Sequence, residues 1–300
     1  MLKTGIVGHQ NSQFYFKNFS SQANYKMVGI FDPSFQFEIP STFPKKLIFS
    51  SFGELLNQSD VLIFASAENT YYPLIELAVK QGKLVFLHST YYFSIDELSH
   101  LIKLKEEAGG MVEVYHPYLW HDAFIEYGKL SKTPLLVESS QSGLERKDLI
   151  PAIRNQVNAI LTRYSSNIKR VTANIISSFS EVPDIIILRL DFNNGSIVNI
   201  MVNSIEKEMH HTMKFFEYNS HYVIDIIQNQ LICSDSVNDF KTLLSKKNNT
   251  ADSMLQKQSY NFYYNIMNHL PPQNSIENEY NTCKVMEKVK EKMRISINIF

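Results

Sequence analysis

Residues 60–90 read DVLIFASAENTYYPLIELAVKQGKLVFLHST, and this stretch decides the fold. Its apolar runs at 61–65 and 84–87 have the length and continuity of strands that are buried on both faces of a parallel sheet. Between them, Leu74, Leu77 and Ala78 recur at helical spacing, and Gly82 stands where a helix end favours a residue that tolerates positive φ. The stretch predicts one βαβ unit with a right-handed crossover.

The tips of these two strands are the first place to expect a ligand. Small molecules bind beyond the carboxyl ends of the strands in parallel α/β sheets. Residues 66–71 and 88–90 are therefore expected to border a site.

The rest of the chain predicts two domains. Strand-like runs at 3–7, 25–31, 47–49 and 111–115 surround the opening unit and alternate with helical segments, which predicts a Rossmann-like α/β domain over residues 1–118. After a helix at 147–164, strand-like runs joined by short turns such as Asn193-Asn194-Gly195 predict an α+β domain over 119–300. We expect its sheet to be open and mostly antiparallel, with a terminal helix that can pack back on the first domain. The remaining runs in that sheet are 171–179, 185–192, 197–202, 212–218, 222–227 and 231–233.

Composition narrows the function classes. The chain is 44% hydrophobic and 20% charged with a formal net charge of −1, which offers no basic surface for nucleic acid. The two cysteines, Cys233 and Cys283, form no CxxC pair, and no apolar run is long enough for a membrane span. We therefore expect a cytoplasmic protein with a small-molecule ligand.

The loop after the first strand stands where a dinucleotide fingerprint belongs. A Gly-x-Gly-x-x-Gly motif would need glycine at 8, 10 and 13, but the chain has Gly8, Gln10 and Gln13. The second glycine normally lets the backbone approach a pyrophosphate, and the third lets helix and strand pack closely. The amides near Asn11 and Ser12 can still hold an anion, with side chains crowding its approach.

Asp32 follows the second strand at about the place where an NAD site carries its ribose-binding acid. The competing interpretation is that Asp32-Pro33-Ser34 makes a turn after the strand. Both interpretations stay open at this point.

Several motifs resemble those of the glucose-fructose oxidoreductase, inositol dehydrogenase and rhizopine catabolism family (Gfo/Idh/MocA). They are GIVG at 5–8, VGIFD ending at Asp32, FGELL at 52–56 and the whole stretch 60–90. The resemblance implies an oxidoreductase that uses NAD or NADP on a sugar or polyol, and homo-oligomers formed through the C-terminal sheet. It places cofactor contacts at Gly8, Gln10, Asn11, Ser12, Asp32, Ser66, Ala67 and Ser89.

The chain departs from the family at the positions that perform the chemistry. Where the family reads DxVxxATPxxxH, Ala67 replaces the proline and Tyr71 the histidine. The family's Glu-Lys-Pro after GKHVFx has become His88-Ser89-Thr90, so the lysine that reaches the nicotinamide and the substrate is replaced by Ser89. A gapped placement of the DxGxH motif leaves Pro151 and Asn155 at the acid and histidine positions.

His88 and His116 are the candidate replacement bases, because an imidazole titrates near neutral pH. The competing interpretation of His88 is a hydrogen bond to a neighbouring loop. His116, His121 and Asp122 could be metal ligands only with an incomplete donor set, so no metal site is predicted. The pairs Tyr71-Tyr72 and Tyr91-Tyr92 could stack on a sugar or nicotinamide ring, or fill space.

Two hypotheses remain. The first is an NAD(P)-dependent oxidoreductase with a rearranged catalytic set. The second is a catalytically silent relative that binds a carbohydrate-like ligand or a protein partner. Both predict homo-oligomers, because an open antiparallel sheet leaves one apolar face uncovered. The alternation of Ile185, Ile187 and Arg189 with Ile186, Leu188 and Leu190 is consistent with a second face that is not simply solvated.

Overall fold

The computed structural model describes residues 1–33, 47–66, 68–90, 92–130, 133–164, 166–177, 182–235, 240–245 and 249–297. The chain divides into two compact units: residues 1–115 with 251–280, and residues 116–250 with 281–300. A short 3-10 helix spans Pro117–Trp120. The helices and strands in chain order are β1 (Leu2–Val7), α1 (Ser12–Ser20), β2 (Tyr25–Phe31), α2 (Phe52–Gln58), β3 (Val61–Phe64), α3 (Tyr72–Lys80), β4 (Leu84–Leu87), α4 (Ile95–Ala108), β5 (Val112–Val114), α5 (Asp122–Leu130), β6 (Leu136–Ser142), α6 (Leu149–Leu161), β7 (Ile168–Ile176), β8 (Ile185–Phe192), β9 (Ile197–Asn203), β10 (His210–Phe216), β11 (Ser220–Asp225), β12 (Gln230–Asp235), β13 (Lys241–Ser245), α7 (Ala251–Met267) and α8 (Ile276–Ile297).

The first unit has a parallel five-stranded sheet in the order β2-β1-β3-β4-β5. Its strand directions and alternating helices are Rossmann-like, as the sequence predicts. The predicted strand at 47–49 is reduced, within the described residues, to a single parallel bridge between Ile48 and Ile30. The order places β1 beside both β2 and β3, so the strand order reverses there.

The βαβ unit that decides the fold forms as expected, with one correction. All of β3 is buried, and Gly82 ends the unit's helix with φ +66°. However, α3 buries Ile75, Ala78 and Val79, whereas Leu77 is 40% exposed. The predicted apolar face was therefore wrong at Leu77, whereas Ala78 is buried as predicted and Leu74 is partly buried.

The sequence has capping-box spacing at Ser51 to Glu54 and at Ser94 to Glu97, which predicts a helix start at each place. The two predicted boxes have different outcomes. The Ser94 hydroxyl accepts from the Glu97 amide, and the Glu97 carboxylate accepts from the Ser94 amide, which confirms the box that begins α4. At the start of α2, Ser51 makes no side-chain capping bond, so that box was wrong. α2 still forms because Phe52, Leu55 and Leu56 are buried against the sheet side.

A segment from the far end of the chain completes the first unit. Gln258 of α7 donates to the Oε1 of Glu113 at 2.8 Å, and the Gln273 amide donates to Oε2 at 3.2 Å. Burial raises the pKa of Glu113 to about 8, against the lowering effect of these hydrogen bonds. The sequence did not predict α7 or this buried carboxyl group.

The second unit has an eight-stranded sheet in the order β13-β12-β11-β10-β6-β9-β8-β7. Every pair is antiparallel except β6 with β9, and Gly195 makes the turn between β8 and β9 with φ +84°. The predicted fold class is confirmed: a Rossmann-like unit and an α+β unit with a mostly antiparallel sheet. The described helices include none that is long and apolar enough to cross a membrane.

One face of the eight-stranded sheet is buried and the other is only partly covered by the described residues. Ile186, Leu188 and Leu190 of β8 are fully buried, whereas Ile185 and Ile187 are partly exposed. α6 contributes to the buried side with Leu149, Ile153 and Val157. The strands β6 and β13 and the helix α5 were absent from the sequence prediction.

Candidate functional site

The carboxyl edge of the five-stranded sheet carries the candidate site. The loops that follow β1 and β3 leave neighbouring strands where the strand order reverses, which is where a doubly wound sheet forms its ligand crevice. Most residues predicted to bind a dinucleotide lie in these two loops or at the end of β2. Ala67 lies outside the described residues.

Gly8 opens the first loop, and Tyr71 lies directly against it. Gly8 has φ +91°, and a Cβ built on it would lie 3.2 Å from the Tyr71 hydroxyl and 3.1 Å from the Ser66 Cβ. Tyr71 and Ser66 are both buried. Burial raises the pKa of Tyr71 to about 12, with smaller contributions from the charges of Asp32 and Glu68. Its hydroxyl therefore stays protonated. A phenol thus fills the space that a dinucleotide-binding loop leaves open.

Two hydrogen bonds link the loop after β1 to the loop after β3. The Asn11 side-chain amide donates to the Ala65 carbonyl at 2.9 Å, and Gln10 Nε2 donates to Glu68 Oε1 at 2.7 Å. Ser12, the first residue of α1, is buried. The side chains of Gln10 and Asn11 are therefore engaged within the chain, and the Ser12 amide donates to the His9 carbonyl at 3.0 Å. The Glu68 carboxylate adds negative charge at the same edge.

Asp32 is likewise engaged. Its Oδ2 lies 2.6 Å from Nδ1 of His9, and its side chain is almost fully buried. The carboxylate therefore stands at the end of β2, as a ribose-binding acid would, but His9 contacts one of its oxygens.

The crevice in this conformation does not fit a dinucleotide. The glycine conformation and the position of Asp32 are retained, but Tyr71, Asn11 and Gln10 occupy or bridge the path that a pyrophosphate would take. Pyrophosphate binding depends on close backbone approach and on free amide donors.

His88 follows β4 at the same edge, together with two tyrosines. Its Nδ1 lies 2.8 Å from the Tyr15 hydroxyl, and its ring stacks on Tyr115 with centroids 6.0 Å apart. Tyr15 is fully buried in α1, and burial lowers the pKa of His88 below its usual value. Ser89, at the family's lysine position, carries no charge, and the residue before it supplies a partly buried imidazole in its place at this strand tip.

Thr90 ties the end of this loop to the returning C-terminal segment. Its hydroxyl donates to Glu279 Oε2 at 2.6 Å, and Asn274 Nδ2 donates to Glu279 Oε1 at 3.0 Å. All three residues are buried. The proline of the family motif is thus replaced by a threonine that forms a structural hydrogen bond.

In the second unit, the predicted histidines hold backbone carbonyl groups. His116 Nε2 donates to the Asn155 carbonyl, and His121 Nε2 donates to the Ile226 carbonyl, both at 3.0 Å. Both rings are buried. Among the described residues, no group of three or more His, Cys, Asp or Glu side chains could hold a metal ion. The role of His116 as a base stays a prediction.

The contacts that shape the site were missed because they join distant parts of the sequence. Tyr15 and His88 are 73 residues apart, and Gln10 and Glu68 are 58 apart. Tyr15 lies one helical turn before Phe19 on the buried side of α1, and this spacing is the one signal that could have predicted its burial.

Comparison with known proteins supports the fold. No protein-family model and no curated protein sequence matches the chain. Among solved structures, UDP-N-acetylglucosamine 3-dehydrogenase GnnA from Acidithiobacillus ferrooxidans superposes with a TM-score of 0.83 at 16% identity, covering 96% of both chains. The dehydrogenase MviM from Clostridium difficile gives 0.80 at 14% identity, covering 97% of this chain and 99% of that one.

A third structure was solved with ligands. It is an oxidoreductase from Agrobacterium radiobacter in complex with NAD+, L-tartaric acid and magnesium, with a TM-score of 0.78 at 12% identity and coverage of 95% and 94%. These dehydrogenases and oxidoreductases share the fold that the resemblance to the Gfo/Idh/MocA family predicts. At these identities the similarity extends to the fold alone.

Proposed function

We propose that this chain is a catalytically silent relative of the NAD-dependent sugar dehydrogenases, which keeps their fold and binds a carbohydrate-like ligand without oxidising it. The A. ferrooxidans neighbour acts on UDP-N-acetylglucosamine, and this gives the class of ligand to test first. A cytoplasmic location stays a prediction.

The observation that carries the proposal is the closed crevice between β1 and β3. Asn11 and Gln10 reach across it to Ala65 and Glu68, and Tyr71 packs against Gly8. A dinucleotide would have to break two hydrogen bonds and displace a buried phenol before its pyrophosphate met the loop. The free energy needed to break these contacts would weaken cofactor binding, whereas an open, glycine-lined loop has no such contacts to break.

The loss of charged catalytic groups supports the same proposal. Transfer of a hydride from an alcohol needs a group that takes the hydroxyl proton. Ser89 stands at the lysine position, and Asn155 stands at the histidine position in the gapped placement of the DxGxH motif. The Asn155 carbonyl accepts a hydrogen bond from His116. Among the described residues at the tip of β4, His88 is the one with an imidazole, and burial lowers the pKa of that ring below its usual value.

We further propose that the chain forms homo-oligomers through the less buried face of the eight-stranded sheet. This face carries Ile187, Met201 and Thr212 around a shallow cavity of about 530 Å³. Met201 is exposed although its strand, β9, is an inner strand of the sheet, between β6 and β8. Light scattering at micromolar concentration is expected to give more than one chain per particle, and to give a single chain for Met201→Lys.

A second candidate, an active NAD(P)-dependent oxidoreductase, is favoured by two retained features. Gly8 keeps its positive φ, and Asp32 keeps its place at the end of β2. In this candidate the loops around the crevice would have to separate before the cofactor binds.

The decisive assay is hydride transfer. The chain is incubated with NAD+ or NADP+ and with UDP-N-acetylglucosamine or a panel of polyols, and the reduced nicotinamide is measured by absorbance. The A. ferrooxidans enzyme serves as the positive control. We expect no rate above the blank; a rate that disappears in His88→Ala would establish the second candidate instead.

A further inference from the structure

The hydrogen bond between Tyr15 and His88 determines which nitrogen of the imidazole carries the proton. The Tyr15 hydroxyl is fully buried, and the described residues offer it one polar partner, Nδ1 of His88 at 2.8 Å. A buried hydroxyl needs an acceptor for its proton. Nδ1 is therefore the acceptor, and the proton of a neutral ring must lie on Nε2.

The surroundings keep Tyr15 protonated and His88 neutral. Burial raises the pKa of Tyr15 well above its usual value, and the electrostatic interaction with Tyr115 adds a smaller increase. Burial also lowers the pKa of His88, with no charged side chain contributing to that shift. Tyr115 stacks on the imidazole without bonding to either ring nitrogen, so it restricts the ring plane and leaves the tautomer to Tyr15.

The backbone fixes the position of this imidazole. The His88 amide donates to the Phe64 carbonyl at 2.9 Å, which holds the residue at the carboxyl edge beside the end of β3. The ring is partly exposed, and its Nε2 makes no hydrogen bond within the described part of the chain. The ring thus has one nitrogen committed to the core and one directed away from that bond.

We infer that Tyr15 is a positioning residue that fixes His88 as the neutral Nε2–H tautomer, so that His88 offers a hydrogen-bond donor to an uncharged oxygen of a ligand at this edge. A hydroxyl or carbonyl oxygen of a carbohydrate-like molecule has this chemistry. A general base would need a lone pair on the exposed nitrogen, and here the lone pair points at Tyr15. The ligand-binding part of the inference rests on the proposed function; the tautomer does not.

The tautomer can be measured without any activity. The full chain is labelled with ¹⁵N-histidine, and long-range ¹H–¹⁵N spectra at neutral pH distinguish the two neutral tautomers. The chain has nine histidines, so the His88 signals are assigned by their absence in His88→Gln. We expect the Nε2–H pattern in the wild type, loss of that single-tautomer pattern in Tyr15→Phe, and no change in Tyr115→Phe, which keeps the stacked ring.

Two results would overturn the assignment of the tautomer. An Nδ1–H pattern in the wild type overturns the inference even if Tyr15→Phe does not fold, and an unchanged pattern in a folded Tyr15→Phe does so as well. For the ligand, myo-inositol is titrated as an uncharged polyol probe. We expect the Nε2–H signal to shift in the wild type and Tyr115→Phe, but not in Tyr15→Phe; no shift in any protein rules out the donor role.

Failure of this inference is distinct from failure of the proposed function. Hydride transfer in the enzymatic assay would disprove the silent relative and leave the measured tautomer unaffected. An Nδ1–H tautomer with no hydride transfer would remove the donor role of His88 and leave the silent relative in place.

Discussion

His9 Nδ1 lies 2.6 Å from Asp32 Oδ2, so the acid at the end of β2 is held by the loop after β1. The Asp32 side chain is 5% exposed and that of His9 is 45% exposed. This contact stabilises the closed form of the crevice from the side where a ribose would bind. Removing the His9 side chain therefore tests whether this contact anchors the loop after β1 to Asp32.

His9→Ala is expected to lower the free energy of unfolding by about 1 kcal/mol, because a buried carboxylate loses a partner while solvent screens the exposed ring. Urea denaturation measures the change. The matched control is His100→Ala, since His100 contacts Glu76 at 3.3 Å with both side chains more accessible to solvent. Equal losses in the two variants would show that the His9 contact does not anchor the loop.

Gly8→Ala tests the packing of Tyr71 against the loop. Gly195→Ala is the control, because Gly195 also has positive φ but has no atom within 4 Å of an added Cβ. The control should lose about 1 kcal/mol from backbone strain. Gly8→Ala should lose a further ~1–3 kcal/mol from crowding against Tyr71 and Ser66. Equal destabilisation of the two variants in urea would contradict the closed crevice.

Glu113 should make stability depend on pH. Its pKa is raised from 4.5 to about 8 by burial, so above pH 4.5 the unfolded chain loses this proton while the folded chain keeps it. The free energy of unfolding therefore falls as pH rises towards about 8, by at most ~1.4 kcal/mol per pH unit, and the contribution is fully present only below pH 4.5.

Glu113→Gln should remove this contribution, so the variant gains stability relative to the wild type as pH rises from about 5 to 8. Urea denaturation at a series of pH values measures it. The exposed Glu107→Gln on α4 is the control and should keep the wild-type pH dependence. Parallel curves for the wild type and Glu113→Gln would mean that Glu113 is ionised in the fold.

Thr90→Val removes the hydroxyl that donates to the buried Glu279. The buried Glu279 side chain then loses a hydrogen bond, and we expect a loss of about 2 kcal/mol in thermal or urea unfolding. Thr90→Ser keeps the hydroxyl and should lose less than about 1 kcal/mol. If the serine variant were as unstable as the valine variant, packing of the methyl group would outweigh the hydrogen bond.

Local patterns predicted the parts of the fold that local physics controls. The buried runs of β3 and β4, the positive φ of Gly82 and the Ser94 capping box all depend on neighbouring residues. The helix α7 was missed because its buried face includes Gln258, Ser259 and Asn265, so it shows no apolar stripe. Strand β6, with the sequence LVESSQS, is rich in residues of low strand propensity.

The candidate site could be predicted only in outline. The sequence placed Gly8, Asp32 and His88 at one edge of a sheet, because strand ends carry ligand-binding loops. It could not predict the partners His9, Glu68 and Tyr15, since these contacts depend on how separate loops meet in the folded unit. Those partners decide the chemistry, because they engage the groups that would otherwise bind a cofactor.

The central claim is that the crevice between β1 and β3 is closed to a dinucleotide by the chain's own side chains. Calorimetric titration of the wild-type chain with NADH and with NADPH tests it most directly. The account predicts no sub-millimolar binding of either cofactor. Sub-millimolar binding of NADH or NADPH to the wild-type chain would contradict it.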